Sequence, residues 1–410
     1  MNRILFVDDE PKILDGLRRM LRVLRREWQM EFALSGPEAL ERLAAAPFDV
    51  VVTDMRMPGM DGAELLGEVM RRHPAMVRIV LSGQCDHATV LKTVGPAHQF
   101  LTKPCDSESL KAAVAQACRL RDQLADDRHK RLVSRIAAVP SLPAHYDALM
   151  AELGADPADA DRVRRTIAAD VGMTAKMMQV VSSGFFGSPQ RVADPLRAAS
   201  LFDLETIKAL ATTAAVFAPS AGNAEQQRRV ARLTEHSLAV ARAARGLARA
   251  ETGDVQLADD AYLAGFLHDV GILVLAEHAP DEYPSILAEA RRRRITLWES
   301  EEDRLATHHG AVGGYLMALW GLPDPLVQAI AHHHHPGRTG DERFSPLTAV
   351  HVASVVIEDV FADLFGASTL LDGAYLERLG LESRFEHWNV ICREAAAAGD
   401  RPVLVHGVAP

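Results

Sequence analysis

Five short apolar runs alternate with amphipathic segments over the first hundred residues: "ILFVDD", "EFALS", "FDVVVTD", "VRIVLSG" and "QFLTK". Runs of this length, rich in Val, Ile and Phe, read as strands, while the stretches between them place apolar residues at helical spacing. Strand and helix in strict alternation make the strands parallel, and a parallel sheet buries both of its faces under the crossover helices. The expected fold of this part is α/β, a doubly wound five-stranded parallel sheet. Ligands of such sheets collect in the crevice outside the carboxyl ends of the strands. Asp8, Asp9, Asp54, Ser82 and Lys103 all fall at those ends.

Three carboxylates crowded together repel one another unless a hard cation such as Mg²⁺, or the ammonium of Lys103, offsets their charge. One of them is then free to act as a nucleophile. Any one of these residues alone reads as an ordinary loop residue; it is their agreement in type and order that points to a site. The stretches "FVDDE", "VVTDMRMPGMDG", "LSG" and "LTKPCD" resemble response-regulator receiver domains over about residues 1–120. The resemblance implies a flavodoxin-like fold with Asp54 as phosphoacceptor. It also implies a Mg²⁺ ion held by Asp8, Asp9, Asp54 and the backbone carbonyl of Arg56, with Lys103 pairing with the phosphoryl oxygens. Ser82 and Phe100 would be the hydroxyl and aromatic switch residues, and Lys103–Pro104 a cis peptide that aims the lysine inward.

A chain of 410 residues exceeds one ordinary core. With 48% hydrophobic and 24% charged residues it has the profile of a soluble globular protein. The net charge of −10 argues against nucleic acid as a partner, because phosphate-backbone affinity needs clustered Lys and Arg. The run Arg291 to Arg294 reads as a solvated helix face. The four cysteines show no CxxC spacing and suit a reducing cytosol. There is neither a signal-peptide pattern nor an apolar run of membrane-spanning length, so the expected location is cytoplasmic, with no membrane partner.

After Pro104, "DSESLKAAVAQACRLRDQLADDRHKRLVSRI" runs with helical periodicity, apart from a break or solvated turn near residue 126. This predicts a receiver over residues 1–122, a helical linker over 123–135 that couples the halves mechanically, and an all-α second domain over 136–410. In that domain Ala, Leu and Arg dominate at helical spacing and strand signals fade. "VPSLPAHYDALM", "IAADVGMTAKMMQVVSSGFFG" and "ADPLRAASLFDLETIKAL" resemble the N-terminal half of the HDOD family, the HD-related output domains. Ser182 and Ser183 stand where that family commonly has asparagine. The likeness continues through "HSLAVARAARGLA", "AYLAGFLHDVGILVL", "HHGAVGGYLMALWGLPDPLVQAIAHHHHP" and "PLTAVHVASVV", in the helical order of an HD-superfamily module.

An active HD-type phosphohydrolase gathers histidines and aspartates on one or two metals that activate water for attack on phosphorus. By resemblance His236, His268, Asp269, His309, His333 and His334 match those ligand positions. The closing aspartate does not, since Ser354 stands in its place. Glu358, one helical turn later, is the one carboxylate placed to substitute for it. Cyclic-di-GMP chemistry is disfavoured, because no Gly-Tyr-Pro follows the histidine run. Each histidine taken singly reads as a buried hydrogen-bonding group, and His332 to His335 as a polar helix end. His98 and His278 read as surface or half-buried residues, and Met177, Met178, Phe185 and Phe186 as core.

The expectation is a two-component response regulator: a histidine kinase as phosphodonor, Mg²⁺ in the receiver, a vestigial metal site and no catalytic residue in the output domain. The output would work by binding a downstream protein or a second copy of the chain. The alternative is a phosphorylation-controlled, metal-dependent phosphohydrolase acting on a nucleotide or cyclic dinucleotide, with a transition metal in the HD-like site.

Overall fold

The computed structural model describes residues 2–83, 94–103, 105–123, 127–182, 192–212, 217–220 and 222–397. The five apolar runs form strands β1 (Asn2–Val7), β2 (Trp28–Ala33), β3 (Val50–Asp54), β4 (Val77–Ser82) and β5 (Gln99–Thr102). They pair in parallel throughout, in the order β2-β1-β3-β4-β5. β3 and β4 are buried along their whole length, as central strands covered on both faces must be. Helices Pro11–Met20, Gly36–Ala45, Gly62–Arg72 and Ser107–Gln123 cover the sheet. Two have clear start signals: Ser35 caps the second, and Asp61 with Glu64 forms a capping box on the third. The order reverses at β1, so the crevice opens between the carboxyl ends of β1 and β3.

Helix Ser107–Gln123 is followed by a separate helix, Asp127–Val133, with residues 124–126 between them outside the described residues. Among its described residues the output region that follows is built of helices, joined by a two-residue parallel ladder, Pro140–Ser141 with Ala218–Pro219, and an isolated bridge between Thr296 and Gly366, additions to the expected all-α pattern. Its axis is the 29-residue helix Ala224–Thr252, started by an Asn223–Gln226 capping box and stopped by Gly253 at φ 66°. Its buried alanines, Ala239, Ala241, Ala243, Ala244 and Ala248, let helices Val255–Leu267 and Pro346–Glu358 lie close along it. Met177 and Met178 are buried in the core, whereas Phe185 and Phe186 lie outside the described residues. Arg291 to Arg294 sit at the exposed end of helix Tyr283–Arg293. Among the described residues no helix is long and apolar enough to cross a membrane.

The two halves meet directly. Arg78 on β4 is 1% exposed and donates to Pro96 O (2.6 Å), Met76 O (3.2 Å) and, at the end of the linker, Ser134 O (2.6 Å). His98 corrects its sequence reading as a surface or half-buried residue: it is 1% exposed, its Nδ1 accepts from Arg78 N (3.1 Å), and its Nε2 faces Ser134 O (3.0 Å). Gln99 and Gln116 donate to Ala318 O and Leu322 O, each at 3.0 Å. In return, from helix Val171–Ser182 of the output domain, Gln179 donates to Ala97 O (3.1 Å) and His98 O (3.0 Å). The mechanical link is thus a packed joint as well as a helix.

Lys176 lies in the middle of this joint. Its ammonium donates to Val94 O (2.7 Å) and Ala137 O (2.5 Å) and sits 4.9 Å from the centre of the Trp320 ring. Burial pushes its pKa down to about 7. An unfolded lysine keeps its proton to about pH 10.4, so between about 7 and 10 the unfolded chain holds one more proton than the folded one. Stability therefore rises with pH across that window. Lys176→Met, which keeps the length of the side chain without the ammonium, should lack this rise. In urea unfolding, the stability difference between wild type and variant should change in favour of wild type by about 1 kcal/mol per pH unit from pH 7 to 9. Parallel pH profiles would show that the amine is not buried in solution.

Candidate phosphoacceptor site and histidine cage

Asp8 follows β1, Asp54 ends β3, Ser82 ends β4 and Lys103 follows β5, so the parallel sheet delivers all four to one rim. The Lys103 ammonium spans two of the acids: it donates to Asp8 Oδ2 at 2.8 Å and pairs with Asp54 Oδ1. Those carboxylates raise its pKa even though burial pulls the other way. Backbone N–H groups take the remaining oxygens, Glu10 N on Asp8 Oδ1 and Arg56 N on Asp54 Oδ2, both 2.9 Å. Gly62 makes the approach possible, because a Cβ there would lie 2.2 Å from Asp54 O. Ser82 Oγ donates to Gly83 O (3.2 Å), and Phe100 is 2% exposed. Pro104, and with it the expected cis peptide, lies outside the described residues. Asp8, Asp9 and Asp54 against one lysine leave two uncompensated negative charges and only oxygen donors, which fits a hard divalent cation such as Mg²⁺.

In the second half the six residues matched to the HD pattern converge from separate helices. His236 comes from the middle of helix Ala224–Thr252. His268 and Asp269 occupy the break between helices Val255–Leu267 and Val270–His278. His309 opens helix His309–Leu319, and His333 and His334 follow helix Asp324–His332. Gly271 sets the spacing, since a Cβ on it would lie 2.0 Å from His309 O; any larger residue would push Asp269 away from that helix. All six are 9% exposed or less.

Asp269 is the centre of the cage. Its Oδ2 lies 3.1 Å from His268 Nε2 and 3.5 Å from His236 Nε2. Its Oδ1 lies 3.3 Å from His309 Nε2 and 3.7 Å from His333 Nε2. His334 Nε2 is 2.7 Å from His309 Nε2. The ligand atoms fall into two triads, His236–His268–Asp269 and His309–His333–His334. Burial opposes the charge on Asp269, but His268 and His309 outweigh it and hold the carboxyl well below its usual range. Burial foremost, helped by the neighbouring His268, His309 and Arg232, drives His236 down to about 3 against the pull of Asp269. For His309 burial again opposes charge, yet Glu301 and Asp269 raise its pKa to about 10. Asp269 Oδ2 and His333 Nε2 are buried with no hydrogen-bond partner among the described residues. Buried donor atoms without a hydrogen-bond partner call for another partner, and this set of imidazoles and one carboxylate fits a first-row divalent metal.

Ser354 is buried, and its hydroxyl donates to Glu358 Oε1 (3.3 Å). Glu358 is not part of either triad. Its oxygens accept from Thr369 N (2.5 Å) and Thr369 Oγ1 (3.1 Å), and burial foremost pushes its pKa up to about 7. Thr369 Oγ1 in turn meets His334 Nδ1 at 3.2 Å, so Glu358 stands behind a ligand instead of among the ligands. Two further residues had no sequence signal. Glu301 accepts from His309 Nδ1 (2.7 Å) and His309 N (2.8 Å), and the Tyr283 hydroxyl donates to it (2.5 Å). In "WESEEDR" Glu301 is one acid among four, a pattern typical of a solvated face, yet it is fully buried. His278 is on the surface.

Known proteins match the two halves separately. The family model of the response regulator receiver domain matches residues 4–115, and that of the HDOD domain matches residues 139–336. The hydrogenase transcriptional regulatory protein HoxA of Cupriavidus necator is 37% identical over 129 residues, which is 31% of this chain and 26% of HoxA. The response regulator protein PilR of Pseudomonas aeruginosa is 39% identical over 127 residues, 30% of this chain and 28% of PilR. An uncharacterized protein of Treponema pallidum is 24% identical over 228 residues, 55% of this chain and 43% of its own length. The chain thus spans well under half the length of these curated relatives. The crystal structure of the signal receiver domain of an HD domain-containing protein from Pseudomonas fluorescens Pf-5 is 31% identical, covering 30% of this chain and 98% of that domain at a TM-score of 0.29.

The receiver rim makes a prediction that does not need phosphorylation. Lys103→Ala removes the cation that now lies between Asp8 and Asp54, and leaves three carboxylates to be neutralised by the metal alone. In calorimetric titration the variant should bind Mg²⁺ several-fold more tightly than wild type, with the gain shrinking as salt is raised. Equal or weaker Mg²⁺ binding would show that the lysine and the metal do not compete for the same charge.

Proposed function

Since the chain is a response regulator that joins a receiver domain to an HDOD domain, we propose that it takes a phosphoryl group on Asp54 from a histidine kinase and passes the change to the HDOD domain as a binding output. Asp8, Asp9, Asp54 and the Arg56 carbonyl would hold a Mg²⁺ ion, which when bound would supply charge neutralisation at the phosphoryl oxygens. The chain's own groups do the rest. Asp54 Oδ presents the nucleophile at the strand end, Lys103 turns from the Asp54 carboxylate to the incoming phosphoryl oxygens, and Ser82 and Phe100 respond to the new charge.

The observation that carries this reading is the joint. Ser82 and Phe100 lie on β4 and β5, and the same strands carry Arg78 and Gln99, which reach Ser134 O and Ala318 O beyond the receiver. A displacement of either strand therefore alters contacts to the output domain without an intermediary. The output acts by recognising a downstream protein or a second copy of the chain, from a cytoplasmic location. The burial of all six cage residues, together with Ser354 where a carboxylate would close the ligand set, favours a site that is closed to substrate. A second reading, a metal-dependent phosphohydrolase, is favoured by one feature: Asp269 belongs to one three-ligand group while its Oδ1 faces His309 and His333 of the other, an arrangement that suits paired metals activating water.

Acetyl phosphate with Mg²⁺ should label wild-type protein and leave Asp54→Asn unlabelled. Labelling should change amide exchange in helices Val171–Ser182 and His309–Leu319, with no change in the variant. Labelling without any exchange difference at the joint would sink the proposed route. Neither cyclic-di-GMP nor a simple phosphate diester should be hydrolysed above background with added Mn²⁺ or Fe²⁺. Turnover that is lost in the double variant His268→Ala, Asp269→Ala would establish the enzyme instead.

A further inference from the structure

The two halves of the histidine cage are not equivalent, and the difference bears on how many metal ions it holds. In the triad His309–His333–His334 every imidazole is anchored on its outer nitrogen. His309 Nδ1 donates to Glu301 (2.7 Å), His333 Nδ1 to Ile330 O (2.8 Å) and His334 Nδ1 to Thr369 Oγ1 (3.2 Å). Each hydrogen bond holds a proton on Nδ1 and turns Nε2 inward, where an arriving ion displaces any proton it carries, and the ligand atoms of all three face the same space. Asp269 Oδ1 adds a fourth donor, 3.3 Å from His309 Nε2 and 3.7 Å from His333 Nε2. Four ligands at bond lengths of about 2.0–2.1 Å around a tetrahedral ion stand about 3.3–3.4 Å apart. The two edges from Asp269 are near that value, and the 2.7 Å edge between His309 and His334 has to open by about half an ångström to reach it.

The other triad has suitable edges, and its His268 is anchored as well, Nδ1 donating to Gly265 O (2.8 Å), but His236 lacks that support. His236 Nδ1 is buried with no hydrogen-bond partner among the described residues, so nothing fixes its tautomer, and its ring packs against Phe361 and Phe365 at centroid distances of 5.1 and 4.7 Å. No fourth protein carboxylate closes it, because Ser354 and Glu358 are turned to each other and to Thr369. Charge points the same way. One divalent ion is balanced by Asp269 together with Glu301 behind His309, whereas two would place four positive charges against the same pair in a buried site.

We propose that the cage is a single-metal site: one four-coordinate divalent ion, with Zn²⁺ the best fit, held by His309, His333, His334 and Asp269, with Glu301 as the positioning residue that supplies the balancing charge. This rests on the reading of the cage as a metal site, and the test separates the two. Full-length protein is depleted with chelator, titrated with Zn²⁺ in excess Mg²⁺, which keeps the receiver rim filled, and analysed for bound metal, with parallel Co²⁺ loading under the same conditions to read four-coordination from the visible spectrum. Wild type should take up one equivalent with a tetrahedral Co²⁺ spectrum, and His236→Ala should still take up one. His334→Ala should lose it, and Glu301→Gln, which keeps the shape and removes the charge, should bind Zn²⁺ about 10- to 100-fold more weakly. If a variant does not fold, X-ray absorption on Zn²⁺-loaded wild type still decides, with three imidazole nitrogens and one oxygen expected per zinc. Two equivalents in wild type, loss of metal in His236→Ala with retention in His334→Ala, or fewer than three imidazoles per zinc would overturn the single-metal assignment. Unchanged affinity in Glu301→Gln would overturn the role of Glu301. Failure of wild type to bind Zn²⁺, Mn²⁺ or Fe²⁺ at all would overturn the cage as a metal site and this proposal with it.

Discussion

A charge moved out of water has to meet an opposite charge or a full set of hydrogen bonds, and the functional parts of this molecule are the places where that requirement is met. Asp8 and Asp54 are buried at the sheet rim and share Lys103. Asp269 is buried at a helix break and is surrounded by imidazoles. Glu301 is fully buried and is answered by Tyr283 and by both nitrogens of His309 that can reach it. Lys176 has no acid beside it and makes do with two carbonyls and an aromatic face, which is why its charge is the least secure of the set. Removing one member of such a group costs more than the lost contact, because its partner is left charged and dry.

Close backbone approach is what brings these groups together. Gly62 lets its helix start against the carbonyl of Asp54, and Gly271 lets the helix after Asp269 lie on the carbonyl of His309. In both cases a side chain as small as alanine would collide with backbone, which cannot swing aside. The phosphoacceptor and the cage centre therefore each sit next to a glycine that sets the distance to the neighbouring element. The helix that begins at His309 ends near Ala318, where Gln99 of β5 docks, and β5 runs on to Lys103. The two charged centres are consequently joined by two rigid elements with one hydrogen-bonded contact between them.

The receiver was legible in the sequence because its information is local. Strand patterns and the placement of Asp8, Asp54 and Lys103 at strand ends depend on neighbours within a few residues, and a parallel sheet turns those positions into one rim with little choice. The six cage positions were also legible, but only as members of a pattern; nothing local said that His236 and His268 would stand 3.3 Å apart. His98 was misread for the same reason. It lies in a loop, and only the packing of the output domain on that loop takes it out of water.

Residue types and their periodicities by themselves determined an α/β half followed by a helical half and a carboxylate–lysine rim, while the resemblance to the HD pattern implied a histidine set that lacks its last acid. Those are consequences of hydrophobic period and of chemical type, which a sequence carries directly. The tertiary structure alone decided which nitrogen of each histidine faces inward, that Glu358 stands behind His334, that Glu301 is buried, and that Lys176 closes the joint between the halves. Each of these depends on which backbone carbonyl or carboxylate arrives from a distant part of the chain, and burial of that kind is a property of the assembled core.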